Sequence, residues 1–285
     1  MTDFVGQTVE AARRSLVAAF RKADMATPEL DARLLLQAAL ACDATALARD
    51  PERLMNAAQA KRLRAFQAAR LAHKPVSRIL GKRAFYGRDF TINERVLDPR
   101  PDSETLIEAV LALADETPRH ILDLGTGSGA LVITLLAERV QWSGLGVDIS
   151  EPALAVARNN AAALGVAARL EFCCSDWFKS IDATFDMIVA NPPYVTAGEM
   201  EWLARDVMDY DPHLALYGGA DGLDPYRLIC GQAARHLTPQ GWLVFEIGAL
   251  QARSVSALMQ EAGFAALQVR ADLAGRDRVV MGRLP

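Results

Sequence analysis

The 285-residue chain carries 31 Lys and Arg against 35 Asp and Glu, a formal charge of −4, with 51% hydrophobic and 23% charged residues. That is ordinary globular composition with enough apolar material for a sizeable core, and it excludes disordered, collagenous and low-complexity classes. Leu124 to Ala137, a stretch without charge near the centre, contains three glycines and is shorter than the roughly 20 residues of a membrane-crossing helix, so no membrane partner is expected.

The first elements read as helices. Phe4, Val5, Val9, Ala12, Leu16 and Phe20 recur at helical spacing. The apolar run Leu16 to Phe20 falls short of a secretory core of roughly 7 to 15 residues, so a cytoplasmic location is expected. Thr27-Pro28 opens a second helix through Leu34-Leu35-Leu36, a third spans Ala44 to Arg49, and a fourth runs from Leu54 to Ala72 until Lys74-Pro75 ends it. Residues 1–80 therefore form a helical bundle, with 13 Lys and Arg against 8 acids, while the remainder has 18 against 27. The opposite charge balances imply two units with different surfaces. Phe85-Tyr86-Gly87 and Phe90-Thr91-Ile92 read as a β-hairpin within a linker at 81–100.

After Pro99-Arg100-Pro101 a helix is expected over Ser103 to Ala114, opening a domain at 101–285. Strands then alternate with helices. The strands are His120 to Leu124, Gly144 to Asp148, Leu170 to Cys174, Phe185 to Ala190 and Trp242 to Ile247. Helices start at Ala130 and Glu151 and span Leu223 to His236 and Gln251 to Ala262. This order predicts an α/β fold with a doubly wound, mostly parallel sheet. Leu267 to Ala271 and Arg278 to Gly282 are joined too briefly for a crossover, so the last strand is antiparallel.

Cys42, Cys173, Cys174 and Cys230 contain no Cys-x-x-Cys pair, and His73, His120, His213 and His236 are scattered, so no metal is expected. Asp123-Leu124-Gly125-Thr126-Gly127-Ser128-Gly129-Ala130 is instead a strand running into a glycine turn and a helix, with Asp148 ending the next strand. Glycines let the backbone approach a ligand closely, and the acid can take ribose hydroxyls, which implies a nucleoside-containing cofactor. A dinucleotide would bring a pyrophosphate, whereas S-adenosylmethionine brings a sulfonium and an ammonium. Asp123 and the acidic balance favour the cationic ligand. Asp176-Trp177, past the third strand, adds a carboxylate and an aromatic face beside an adenine.

The fourth strand ends in Asn191-Pro192-Pro193-Tyr194, at the carboxyl edge where ligands of open α/β sheets bind. Two prolines fix a rigid turn. The Asn191 side-chain oxygen and the Pro192 carbonyl can accept both hydrogens of a planar amino group, and Tyr194 can pack on its flat face.

The glycine loop, Asp148, Asp176-Trp177 and Asn191-Pro-Pro-Tyr194 together resemble a class I S-adenosylmethionine-dependent methyltransferase acting on a planar nitrogen. Pro99-Arg-Pro-Asp-Ser-Glu104, Tyr210-Asp-Pro212, Leu214-Ala-Leu-Tyr-Gly-Gly219, Glu246-Ile-Gly248 and Asp272-Leu-Ala-Gly-Arg-Asp-Arg278 narrow the resemblance to the peptide chain release factor glutamine methyltransferases. Asp102, Ser103 and Asp211 depart from that family's usual residues by shorter side chains, and Asp98 stands where the family tends to be apolar.

The resemblance implies a Rossmann-like methyltransferase domain that methylates the glutamine side-chain nitrogen in the Gly-Gly-Gln motif of class 1 peptide chain release factors. S-adenosylhomocysteine would be the product. It implies catalytic roles for Asn191, Pro192 and Tyr194, with Pro193 also contacting substrate. Cofactor contacts would come from Asp123, Gly125, Thr126, Gly127, Ser128, Gly129, Asp148, Asp176, Trp177 and Asn191. The bundle is expected to recruit the protein substrate and the enzyme to act as a monomer. The alternative is an adenine-specific DNA methyltransferase, disfavoured by the acidic catalytic half, which argues against a nucleic-acid partner.

Overall fold

A computed structural model describes residues 3–113 and 116–285, and these divide into two compact units, residues 3–81 with 205–210 and residues 82–113, 116–204 and 211–285. The first unit is built of α1 (Val9–Lys22), α2 (Pro28–Leu40), α3 (Ala44–Arg49), α4 (Ala57–Leu71) and α5 (Val76–Leu80). Its core gathers Phe4, Ala12, Leu16, Phe20, Leu35, Leu36 and Leu63, which are completely buried and follow the helical periodicity of the sequence. Asp31 and Arg70, both buried, form an ion pair across this core at 2.7 Å. Helix α4 begins later than Leu54 because Asn56 caps it, accepting from the Gln59 N–H while the Gln59 side chain accepts from the Asn56 N–H. Helix α5, unanticipated after Lys74-Pro75, starts with Pro75 at its N-cap and stops at Gly81 in the left-handed region.

In the second unit β1 (Lys82–Phe85) and β2 (Arg88–Thr91) form the expected hairpin. Tyr86 and Gly87 at its tip both have positive φ, as a two-residue turn of this hand requires. A 3-10 turn (Pro101–Ser103) leads into α6 (Glu104–Leu113); the final residue of the anticipated helix, Ala114, lies outside the described residues. There follow β3 (His120–Leu124), α7 (Ala130–Glu138), β4 (Ser143–Asp148), α8 (Glu151–Ala163), β5 (Leu170–Cys174) and β6 (Phe185–Ala190). The short helices α9 (Ala197–Met200) and α10 (Arg205–Tyr210) come next; neither has the length for a periodic signal, and α10 groups with the first unit. The chain ends with α11 (Asp224–Ala233), β7 (Leu237–Glu246), α12 (Ala252–Glu261), β8 (Ala265–Ala271) and β9 (Asp277–Arg283).

Among the described residues one seven-stranded sheet has the order β5-β4-β3-β6-β7-β9-β8. The pairs among β5, β4, β3, β6 and β7 are parallel, and β9, the last strand in the chain, is antiparallel to both neighbours. The mostly parallel α/β fold read from the alternation is the fold observed. The central strands β3 and β6 are buried on both faces. Ile121 packs toward the side of α6 and α7, whereas the adjacent Leu122 and Leu124 pack with Tyr226, Phe245 and Val255 on the side of α11 and α12. The order reverses between β3 and β6, so the turns after β3, β4 and β6 open into one crevice. The hairpin is anchored to this unit by Asn160 of α8, which accepts from the Thr91 N–H at 2.8 Å and donates to the Thr91 carbonyl at 3.0 Å. No helix among the described residues is long and apolar enough to cross a membrane.

Candidate active site

The glycine turn after β3 is shaped by backbone freedom and by two carboxylates. Gly125 and Gly127 have φ of +71° and +56°, conformations that L side chains rarely adopt. Asp148 holds the turn from the neighbouring strand, its Oδ2 accepting from the Gly127 N–H at 2.9 Å and its Oδ1 from the Ser150 N–H at 2.9 Å. Burial pushes the Asp148 carboxyl up, against the pull of these N–H donors. Beneath the turn, Thr126 donates to Asp123 at 2.7 Å. Asp123 is completely buried, and loss of hydration pushes its carboxyl up to about 7.

A cavity of about 290 Å³ opens over this turn, lined by Gly125, Gly127, Asp148, Asp176, Trp177, Asn191 and Pro193 among others. Trp177 lies across the glycine turn, its ring 3.8 Å from where a Gly125 Cβ would stand. Seven of the residues read from the sequence thus meet in one wall. Asp123, Thr126, Ser128, Gly129, Pro192 and Tyr194 do not line the cavity. Asp123 lies outside the cavity lining and accepts from Thr126, and the acidic side chains of the cavity wall are Asp148 and Asp176. Gly129 has φ of +80°, a backbone conformation that L side chains rarely adopt. Ser128 is buried, its carbonyl accepting from Asn160 at 2.9 Å.

The Asn191-Pro-Pro-Tyr194 turn is clamped from behind. Gly218 approaches so closely that a Cβ on it would stand 2.6 Å from the Pro193 carbonyl oxygen, and Gln251 donates to the Tyr194 carbonyl at 3.1 Å. Burial pushes the Tyr194 phenol up to about 12, so it stays protonated and neutral. Glu246, at the end of β7, is buried beside Asn191, and burial pushes its carboxyl up to about 7. The cavity rim is completed by Arg95, Val96 and Leu97 and by Pro212, Leu214, Ala215 and Tyr217. Spacing assigned these no role, since they come from irregular segments far apart in the chain.

The donor set fits S-adenosylmethionine. Close backbone approach is open at Gly125 and Gly127, a carboxylate stands where ribose hydroxyls would lie, and an aromatic face and the anionic side chains of the wall suit an adenine and a cationic tail. Among the described residues no group of three or more His, Cys, Asp or Glu is placed to hold a metal ion.

Two family models match the chain, the PrmC N-terminal domain over residues 11–81 and the methyltransferase small domain over residues 100–209. A release factor glutamine methyltransferase of Cereibacter sphaeroides is 50% identical over 90% of this chain and 91% of its own. This chain belongs to the release factor glutamine methyltransferase family. Its relative of that name from Bradyrhizobium diazoefficiens is 44% identical over 98% of this chain and 96% of its own. The T. thermophilus 16S rRNA methyltransferase, solved with AdoMet and guanosine, shares the fold at a TM-score of 0.51, with 20% identity over 72% of this chain and 50% of that one.

Three of the residues that depart from the usual sequence of the release factor glutamine methyltransferases, Asp98, Asp102 and Asp211, lie beside arginines. Asp102 meets Arg278 at 3.0 Å and Arg276 at 3.4 Å, and both arginines also pair with Asp272, whose carboxyl is held down to about 2 chiefly by the backbone N–H of Arg276. Asp211 is buried and pairs with Arg100 at 2.5 Å. The buried Asp98 lies 3.6 Å from Arg83 of the hairpin.

Proposed function

We propose that this protein transfers a methyl group from S-adenosylmethionine to the side-chain amide nitrogen of the glutamine in the Gly-Gly-Gln motif of class 1 peptide chain release factors. The observation that carries the reading is the meeting of Asn191 with the glycine turn, Asp148 and Trp177 in one cavity, in a chain of this family. When bound, S-adenosylmethionine supplies a methyl group on a sulfonium whose departure leaves a neutral thioether.

An amide nitrogen is a poor nucleophile because its lone pair is delocalised, so the protein's contribution is to hold it in line, with reacting atoms about 3 to 3.5 Å apart. Asn191 Oδ1 and the Pro192 carbonyl accept the two amide hydrogens. They orient the nitrogen and stabilise positive charge as it develops there, and the methylated nitrogen then releases one of its two protons to solvent. Pro193 and the neutral Tyr194 position the flat amide, and the Gly218 contact stops the turn from yielding. Gly125, Gly127, Asp148, Asp176 and Trp177 hold the cofactor, while Asp123, Thr126, Ser128 and Gly129 keep the turn in shape. The helical first unit recruits the release factor, and the enzyme works as a cytoplasmic monomer without a nucleic-acid substrate.

The test is labelled methyl transfer to purified release factor, with a Gly-Gly-Ala factor and duplex DNA as controls. Label is expected in the Gly-Gly-Gln factor alone. Asn191→Ala should bind S-adenosylmethionine normally and lose about 10²–10³-fold in kcat, the usual cost of removing one such group. Label in DNA alone, or undiminished turnover by Asn191→Ala, would refute the reading.

A further inference from the structure

One stretch of the cavity wall has no task in the chemistry above. Pro212, Leu214, Ala215 and Tyr217 line it, and all four are uncharged. The stretch passes through a 3-10 turn (His213–Ala215) and then runs beside the residue that follows Tyr194. There the Val195 N–H donates to the Leu216 carbonyl at 2.9 Å, and the Gly218 N–H donates to the Val195 carbonyl at 2.9 Å, a parallel bridge between Val195 and Tyr217. Leu216 is buried and roots the stretch, whereas Leu214 and Tyr217 stand out at 67% and 50% exposure. Apolar side chains exposed singly are ordinary, but two that share one cavity wall on a backbone fixed from behind make a contact surface.

Sheet order decides what that surface meets. With the strands in the order β5-β4-β3-β6-β7, the turns after β5, β4 and β3, which carry Trp177, Asp148 and Gly125, stand to one side of Asn191 at the end of β6. The bridge at Val195 ties the Leu214 and Tyr217 wall directly to the Asn191-Pro-Pro-Tyr194 turn. An uncharged wall also suits neutral main chain better than the charged tail of the cofactor. A glutamine side chain is short, so an amide nitrogen held at Asn191 draws the substrate main chain into the cavity mouth and against its walls.

We propose that Tyr217, with Leu214 on the same wall, reads the residue immediately before the target glutamine and requires it to be glycine. This rests on the methyltransferase reading above. A glycine brings no Cβ, so its main chain can lie flat on the phenol ring and the Leu214 methyl groups. A larger residue meets a wall that cannot recede. The bridge holds Tyr217 from both neighbours, and the backbone behind it is already in contact, since a Cβ on Gly218 would stand 2.6 Å from the Pro193 carbonyl oxygen. The wall thereby rejects glutamines that follow a residue with a side chain.

The experiment measures methyl transfer to intact release factor carrying Gly-Gly-Gln and to a Gly-Ala-Gln factor, for the wild type, Tyr217→Ala, Tyr217→Phe and Leu214→Ser. Circular dichroism checks that each protein is folded, and calorimetry gives S-adenosylmethionine affinity. The wild type should prefer the Gly-Gly-Gln factor by about 10- to 200-fold in kcat/KM, the range that one methyl group commands in an apolar site. Tyr217→Ala makes room for the added Cβ and should bring that ratio within about threefold of unity, with cofactor affinity within about twofold of wild type. Tyr217→Phe keeps the ring and should keep the preference. Leu214→Ser should raise KM for the Gly-Gly-Gln factor about tenfold through lost apolar contact, again without effect on the cofactor.

Equal methylation of both factors by the wild type would overturn the proposal without any variant having to fold. So would a preference that survives undiminished in Tyr217→Ala, an unchanged KM in Leu214→Ser, or losses of cofactor affinity as large as the changes in KM. Absence of transfer to the Gly-Gly-Gln factor by the wild type, with cofactor bound, would instead refute the methyltransferase reading.

Discussion

Gly218→Ala tests whether a rigid turn at Asn191 is what the second unit is built to hold. Gly218 does not need the left-handed region, so alanine is acceptable to its backbone and the perturbation is purely steric. The added Cβ would stand 2.6 Å from the Pro193 carbonyl oxygen and 2.8 Å from Tyr194 Cα, where ordinary contact begins at 3.4 Å. About 0.8 Å must be found, and both neighbours are backbone, so the turn itself has to move. Overpacking of this kind costs about 1–3 kcal/mol, which lowers Tm by roughly 2–10 °C in a domain of this size. A misplacement approaching 1 Å at a reacting group costs on the order of 10²-fold in rate. Gly218 lies behind the turn and outside the cavity wall, so S-adenosylmethionine affinity should change less than about threefold. Steady-state methyl transfer, cofactor calorimetry and a thermal melt on one preparation measure all three. Turnover within threefold of wild type, or a loss of cofactor affinity as large as the loss of turnover, would refute the argument that this contact sets the position of Asn191.

Other substitutions probe the cofactor turn and the helical unit. Asp148→Asn replaces one of two acceptors on the Gly127 and Ser150 N–H groups with a donor; S-adenosylmethionine affinity should drop roughly 10- to 100-fold by calorimetry, with a smaller effect on kcat at saturation. Asp31→Ala leaves the buried Arg70 guanidinium without its partner and should cost about 3–5 kcal/mol in urea unfolding followed by circular dichroism. Asp31→Leu combined with Arg70→Met should recover most of that loss. A double variant as unstable as the single one would show that the charges, and not the volume they fill, hold α2 to α4.

Elements whose signal is local were legible in the sequence. Strands β3, β5 and β6 have the anticipated ends because each is a short apolar run bounded by turn residues. The glycine turn and Asn191-Pro-Pro-Tyr194 were placed at one edge of the sheet because topology puts the carboxyl ends of parallel strands on the same side. Boundaries fixed by caps, such as Asn56 before α4, were less legible, and α5, α9 and α10 are too short for periodicity to show.

Composition, spacing and residue type are enough to specify the mostly parallel α/β fold and the glycine turn after its first sheet strand, since each follows from chemistry within a few neighbouring residues. Direction and burial are not local properties. Asp123 precedes the first glycine of the turn, yet only packing decides that it accepts from Thr126 and lies outside the cavity lining. Glu246 and Asn191 are 55 positions apart in the chain, and they meet because β6 and β7 are parallel neighbours whose carboxyl ends coincide. A carboxylate's hydration, and with it its pKa, depends on everything that excludes water from it, so the raised pKa of Glu246 arises only when the sheet closes around it.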